Sequence, residues 1–363
     1  MLTELCLVAV LSGDLDGGFR VEKLTDRHIA VLRAVIESYI LGGEPVGSRT
    51  LSRSPRFKLS PATLRNVMAD LEEYGYLCQP HTSAGRIPTD RGFRFYVNHL
   101  AGPAEIAPEI RQRIHERLEA ADGPLEEILH DGVLTLAQLT PYVGVVTLPD
   151  FQRLVVRHIR FVKLGGRRIL AVIVSVSGAV QNLLFSSEND FSQEQLNRYS
   201  NYLNEFLGEL TLNGIKHKIL QEMARDKRGY DELFSQVLAL SRDLFAQHPT
   251  LHGDVMLDGK LNLLEHPEFA DVERMKEIFR AFEEKEAILT ILDQALEGEP
   301  LQVRIGSEIG CESMRHCALV TAAYGRAGRV LGQVGVIGPT RMDYSRVIPL
   351  VNYLAGVMSR CLK

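Results

Sequence analysis

The chain has 363 residues and a mass of 40.6 kDa, which is too long for one ordinary hydrophobic core and predicts two or three domains. Hydrophobic residues make up 45% and charged residues 24%, and these values exclude a wholly disordered, collagen-like or low-complexity chain. The net charge of -5 gives no sign of a nucleic-acid partner for the chain as a whole, so only local charge can indicate one.

Residues 1–20 contain a short apolar run, Leu5 to Leu11, followed by an acidic, glycine-rich stretch. The run follows Glu4 and lacks the basic region of a secretory signal. We expect a flexible extension here, or residues added by a misplaced start codon with translation beginning near Val21. No apolar run in the chain reaches the roughly 18 residues of a membrane span.

Residues 21–100 are more basic than the rest of the chain, with eleven Lys or Arg and eight Asp or Glu. Between Pro45 and Ala69 there are five basic residues and no acidic one. A small basic module on an acidic body is typical of a nucleic-acid-binding protein of modest total charge. A solvated surface of no special function is the alternative, and charge alone does not exclude it.

Periodicity in residues 21–100 predicts three short helices, a strand, a loop and a fourth helix. Thr25 is placed as the N-cap of the first helix and Gly42–Gly43 as its end. A two-turn helix is expected over 47–54, and Ser60–Pro61 is a strong start for the third helix. Thr89 is the expected cap of the fourth helix. This order of elements is the layout of a winged helix-turn-helix.

The third helix carries small and hydrogen-bonding side chains outward in its first two turns and acidic ones in its last turn. A helix that enters the major groove with its N-terminal end needs this division, because close approach requires small side chains and base edges require forked donors. Acid near a helix C-terminus opposes the macrodipole, so helix stability does not explain the pattern. A purely structural helix remains the alternative reading.

The polar loop that follows, residues 81–88, fits a wing, and Arg91 and Arg94 lie one turn apart on the next helix. These side chains are expected to contact phosphates or a minor groove. The candidate DNA contacts are Ser48, Arg49, Thr50, Arg53, Ser60, Ala62, Thr63, Arg65, Asn66, His81, Thr82, Ser83, Arg86, Arg91 and Arg94.

Four segments of the chain resemble the HrcA family of bacterial heat-inducible transcription repressors. They are Glu44–Leu51 (EPVGSRTL), Leu59–Glu72 (LSPATLRNVMADLE), Gln79–Asp90 (QPHTSAGRIPTD) and Gly335–Tyr344 (GVIGPTRMDY). The resemblance extends from about Leu24 to Cys361. It implies a homodimer that represses the groE and dnaK operons by binding the inverted-repeat operator called CIRCE, with the GroEL chaperonin keeping it competent to bind. One recognition helix reads few base pairs, so a two-fold dimer is also expected on physical grounds.

The rest of the chain alternates between helix-rich and strand-rich segments, which predicts an α+β multidomain protein. Strands, then helices, then strands indicate one antiparallel sheet interrupted by a mainly helical insertion. The resemblance implies that the sheet is GAF-like and that the insertion helps dimerisation. The expected domains are a winged-helix domain over 21–100, a helical linker over 101–150, a GAF-like domain over 151–195 and 265–363, and the inserted dimerisation domain over 195–265.

Enzymatic chemistry is not indicated, because the sequence has no P-loop, HExxH or GxSxG motif. Five scattered cysteines, none in a CxxC pair, argue against a disulfide framework or a zinc site. Cys311, His316 and Cys317 are expected to be strand or loop residues. No cofactor or metal is expected, and a reducing cytoplasm fits this cysteine usage.

Two alternatives to a chaperone-gene repressor stay open at this stage. One is a metabolite-responsive regulator whose GAF-like domain holds a small ligand. The other is a chaperonin substrate or adaptor in which the DNA-binding module is vestigial.

Overall fold

The fold is α+β, with helices and antiparallel sheets in separate parts of the chain. The expected N-terminal extension, residues 1–20, and the candidate Ser83 lie outside the described residues. No described helix is long and apolar enough to cross a membrane. The computed structural model describes residues 24–54, 59–82, 84–119, 125–149, 154–176, 178–207, 210–211, 214, 232–247, 254–296, 298–326 and 329–362.

The first part, which we call the head (residues 24–100), has the predicted order of elements. Thr25, Ser60 and Thr89 cap their helices through side-chain oxygens, as expected. The first helix ends at Gly43, whose φ of 70° favours glycine. The elements are α1 (Asp26–Gly42), α2 (Ser48–Ser52), α3 (Pro61–Glu73), β1 (Leu77–Cys78), β2 (Ile87–Pro88) and α4 (Asp90–His99).

The second part, which we call the body (residues 108–149 and 254–362), is built on a five-stranded antiparallel sheet of order β7-β3-β10-β9-β8. Helices α5, α6 and α11 pack on one face and α9 and α10 on the other. The bounds are α5 (Pro108–Glu119), α6 (Leu125–Leu139), β3 (Val143–Thr147), β7 (Val255–Asp258), α9 (Val272–Glu283), α10 (Lys285–Leu296), β8 (Leu301–Ile305), β9 (Cys317–Arg326), β10 (Arg329–Pro339) and α11 (Tyr344–Cys361). Short 3-10 helices follow β7 and β8.

The third part, which we call the inserted unit (residues 154–247), lies between β3 and β7 and has its own sheet of order β4-β5-β6. Its core is separate, with Phe161, Phe185, Leu196 and Leu240 almost wholly buried. Its elements are β4 (Val156–Gly165), β5 (Arg168–Ser175), β6 (Val180–Ser186), α7 (Gln193–Leu207) and α8 (Glu232–Gln247).

The expected domain boundaries differ from this strand order. The sequence predicts that the strands over 156–186 belong to the GAF-like sheet, but they pair only with one another among the described strands. Strand β3 lies within the expected helical linker, and β7 lies within the expected insertion. The described residues of the expected insertion, 195–265, are chiefly helical, but the inserted unit as observed also contains the three-stranded β4-β5-β6 sheet. An apolar strand pattern indicates a strand but not its partner, because partners are chosen by tertiary packing.

The segment that joins head to body is fixed by a proline inside α11. Pro349 has no N–H, so it cannot donate to the carbonyl of Ser345 one turn earlier. That carbonyl accepts instead from the backbone N–H of Ala104, at 2.9 Å. The linker is thereby held against the body.

Candidate nucleic-acid interface

Helix α3 buries one face and exposes the other, as its periodicity predicts. Leu64, Val67, Met68 and Leu71 are buried in the head. The opposite side exposes Ala62, Arg65 and Asn66 along the first half of the helix, and Ala69 in the second half. Arg49 and Thr50 of α2, and Arg53 directly after it, are also exposed. These residues form a basic surface with small side chains at its centre, which we call the α2–α3 surface.

Two serines on this side of the head have structural roles. Ser48 is only 8% exposed, so its hydroxyl has little access to a ligand, which differs from its expected place among the DNA contacts. The Ser60 hydroxyl accepts a hydrogen bond from the Thr63 N–H at 3.1 Å and lies 2.9 Å from the Thr63 hydroxyl. Ser60 is the N-cap of α3, where its hydroxyl satisfies a backbone N–H that the helix leaves unpaired, whereas Ser48 is a buried residue in the first turn of α2.

The loop between β1 and β2 is held by three local contacts. The Gln79 side-chain amide donates to the carbonyls of Thr82 and Ala84 at 2.9 and 3.0 Å. Val46 and Arg86 exchange two backbone hydrogen bonds of 2.9 Å. A Cβ on Gly85 would lie 2.5 Å from the Val46 backbone, so only glycine fits there. His81 and Thr82 are exposed at the tip.

Arg86 does not present a free guanidinium, contrary to the expectation that it contacts phosphate. Its Nη2 lies 2.8 Å from the Glu72 carboxylate near the end of α3, and its side chain is 17% exposed. This pair ties the loop to the helix. Burial raises the pKa of the nearby Cys78 thiol, the Glu72 charge adds to the rise, and Arg86 opposes it. Cys78 is therefore protonated at neutral pH and offers no nucleophile.

Arg91 and Arg94 do not form the expected pair of phosphate clamps. Arg91 is exposed, but it donates to the Tyr74 carbonyl at 2.9 Å and its guanidinium carbon lies 4.7 Å from the centroid of the Tyr76 ring. Arg94 points toward the body, where it pairs with Glu308 and donates to the Val303 carbonyl at 2.6 Å. Arg94 is thus engaged between head and body.

Sequence reasoning missed the partners of these arginines. Glu72 belongs to the acidic last turn of α3, and acid near a helix C-terminus is unfavourable by itself, which was the one indication that a cation lies nearby. No pattern of residues near Glu308 indicates that it pairs with Arg94, because the two residues lie 214 positions apart in the chain. Among the described residues, no group of three or more Asp, Glu, His or Cys is arranged to hold a metal ion.

Comparison with known proteins identifies the family. Residues 126–348 match the family described as HrcA protein C terminal domain. A protein of Geobacter sulfurreducens named heat-inducible transcription repressor HrcA is 44% identical over 343 residues, which cover 94% of this chain and 98% of that protein. A protein of the same name from Syntrophobacter fumaroxidans is 40% identical over 341 residues, with the same coverage.

A solved structure described as a hypothetical protein at 2.2 Å resolution has the same overall fold. Its TM-score is 0.60 at 23% identity, and the match covers 94% of this chain and 99% of that one. The resemblance inferred from four sequence segments is confirmed by matches that span nearly the whole chain. This chain therefore belongs to the HrcA family of heat-inducible transcription repressors.

Proposed function

We propose that this chain represses the groE and dnaK chaperone operons by binding the CIRCE inverted repeat, and that its head is a winged helix-turn-helix. The α2–α3 surface carries this proposal. It is exposed and has no acidic residue from Pro45 to Ala69. Small and amide side chains at its centre allow α3 to approach base edges in a major groove. Occupation of the promoter is sufficient for repression, so no chemistry is required.

The proposed DNA contacts divide into base-reading and phosphate-binding residues. Arg65 and Asn66 project from the exposed N-terminal half of α3 and read bases, with Ala62 and Thr63 allowing close approach. The remaining contacts bind phosphate or the flanking groove. They are Arg49, Thr50, Arg53, His81, Thr82 and Arg91. Ser48, Ser60, Arg86 and Arg94 position these elements instead.

We propose further that the protein acts in the cytoplasm as a homodimer whose contact lies on the inserted unit. An inverted repeat requires two heads related by a two-fold axis. The sheet of the inserted unit has one face covered by α7 and α8 and an open face that carries Leu170, Val172, Val174, Val180 and Leu184. Val180 and Leu184 are about half exposed. An apolar face of this kind favours a protein partner.

The body is proposed to be GAF-like, and the GroEL chaperonin is proposed to keep the protein competent to bind. A sheet covered by helices on both faces supports the first assignment. The second follows from family membership together with the marginal stability of folded proteins, which a chaperone exploits.

Fluorescence anisotropy with a CIRCE duplex and a scrambled duplex of equal length tests the proposal. We expect tight binding to CIRCE only, a steep decrease with salt, and tighter binding when GroEL is present. Equal affinity for the two duplexes, from protein shown to be folded and dimeric, would contradict sequence-specific repression. If binding is specific for CIRCE but its affinity does not change when GroEL is added, the repressor proposal stands and the role of GroEL is contradicted.

A further inference from the structure

Among the described residues, two groups of polar contacts join the head to the body, and neither involves a residue of the α2–α3 surface. The first is made by α4 and the segment after β8, and the second by the end of α1 and the segment before α11. Arg49, Arg65 and Asn66 stay exposed while these contacts are made. The docked head therefore remains accessible to DNA.

The first contact is built around Glu308 and Ser307 of the body. The Glu308 carboxylate accepts from the Arg94 Nε at 2.9 Å, and its other oxygen is held by the Ile305 N–H at 2.9 Å. Asp90 accepts from both the N–H and the hydroxyl of Ser307, each at 3.0 Å. The carboxylate that accepts from Arg94 is thus also held by a backbone N–H of the body.

Close approach at this contact depends on a glycine. Gly306 has a φ of +56°, and a Cβ on it would lie 2.2 Å from a carboxylate oxygen of Asp90. Only glycine provides both this backbone conformation and the space for Asp90. The body backbone is shaped at this point to receive α4.

The second contact is built around Arg341, which belongs to the Gly335–Tyr344 segment. Its Nη1 donates to the Ile40 carbonyl at 3.0 Å, and its Nε bonds Glu268. Arg341 and Glu268 are only 14% and 19% exposed. A cation at the C-terminal end of α1 is favoured by the helix dipole, so Arg341 holds that end of the head.

Apolar packing fills the space between the two polar contacts. Phe93 of α4 is 2% exposed, and its ring lies 6.2 Å from the rings of both Tyr39 and Tyr344. Two separated polar contacts, one an ion pair and the other a hydrogen bond to a backbone carbonyl, resist rotation of the head together with the packed ring. A single contact would leave it free to pivot.

We propose that Glu308 and Arg341 are positioning residues for operator reading, which hold the two heads of the dimer at one fixed separation. This inference rests on the proposed function, since it requires a dimer that binds an inverted repeat. Rigidly spaced heads gain effective concentration only when the half-sites match their spacing. Heads on a flexible tether tolerate other spacings but bind the matched one more weakly.

Anisotropy with three duplexes tests the proposal on the full-length protein. They are CIRCE, CIRCE with five extra base pairs between its half-sites, and a single half-site; five base pairs are about half a helical turn. The variant Glu308→Ala/Arg341→Ala removes both contacts. The control Glu312→Ala removes a body carboxylate that pairs instead with the exposed Arg315 at 2.5 Å.

For the unchanged protein and for the control, we expect the lengthened duplex to bind at least about tenfold more weakly than CIRCE. For the double variant, CIRCE binding should fall about tenfold and the two spacings should differ by less than about threefold. Half-site affinity should be the same for all three proteins, which shows that the head is folded. If the double variant distinguishes CIRCE from the lengthened duplex as strongly as the unchanged protein does, the proposal is wrong.

Hydrogen exchange tests the docked state without DNA. The Ser307 amide, which donates to Asp90 across the contact, should exchange at least about tenfold faster in the double variant than in the unchanged protein. Protection at Ser307 that is equally low in both proteins overturns the proposal. Failure of every protein to distinguish CIRCE from a scrambled duplex, with Ser307 protected as expected, would reject the proposed function and not the docking.

Discussion

Arginines of the head differ in whether a carboxylate already holds them. Arg86 and Arg94 have carboxylate partners at 2.8 and 2.9 Å, so using them on phosphate requires breaking an ion pair. Arg49, Arg53 and Arg65 are exposed. Sequence alone treats these five residues alike, because charge pattern does not reveal the partner. The predictions at this scale separate the two groups.

Base reading is predicted at the N-terminal half of α3. Changing Asn66 or Arg65 to Ala should weaken CIRCE binding by about 1–3 kcal/mol and relax preference at one base-pair position. The physical reason is the loss of a forked hydrogen-bonding group at a base edge. Anisotropy against a set of single-base CIRCE variants measures this. A loss of equal size on every duplex would show that the residue binds phosphate.

Salt dependence separates phosphate contacts from the positioning arginine. Changing Arg49 or Arg53 to Ala should lower the slope of log affinity against log salt by about one unit, since one fewer counterion is released. Changing Arg86 to Ala should leave that slope unchanged while weakening binding, because it frees the loop from Glu72. The matched control is Glu72→Gln, which should behave like Arg86→Ala. A reduced slope for Arg86→Ala would place it on DNA.

At the scale of elements, the helix starts and turns were predictable and the sheet partners were not. Thr25, Ser60 and Thr89 cap helices with atoms three residues away, so the signal is contained in a short window. Strands β3 and β7 meet from opposite sides of the inserted unit. Their pairing depends on packing across that whole segment, which no local pattern records.

The open face of the β4-β5-β6 sheet is predicted to carry the dimer contact. Leu184 is 51% exposed and lies opposite Leu170 in the register. Changing Leu184 to Asp should shift the protein from dimer to monomer, because a buried unpaired charge is costly at an interface. Sedimentation velocity measures this. Val272→Asp is the control, since Val272 is 65% exposed at the start of α9. Dimerisation that survives Leu184→Asp would move the contact elsewhere on the inserted unit.

At the scale of the whole molecule, one hydrophobic cluster joins the head to one face of the body sheet, a second lies on the other face of that sheet, and the inserted unit has a third. Residues of α1, α3 and α4 belong to the same cluster as residues of β9, β10 and α11. The head and the body therefore pack as one unit, and the inserted unit packs as another. The basic head is attached to an acidic remainder, so its orientation is decided by the specific contacts of Arg94 and Arg341 and not by overall charge.

Loss of Phe93 is predicted to destabilise head and body together. Changing Phe93 to Ala should lower the free energy of unfolding of this shared unit by about 3–5 kcal/mol, because it leaves a cavity between Tyr39 and Tyr344. Leu240→Ala, in the separate core, is the control and should affect the inserted unit alone. Urea unfolding followed by hydrogen exchange of each unit distinguishes the two. Destabilisation confined to the head would contradict a shared core.

The sequence by itself determined the family, the basic head, the helix caps and the outward face of α3. The helix caps and the outward face depend on residues close together in the sequence, because both follow from spacings of three or four positions. The tertiary structure alone decided which strands pair, which arginines stay exposed, and how the head is held. Arg94 meets Glu308 across 214 residues of chain. Contacts at such separation depend on the complete fold, since only packing brings those side chains together.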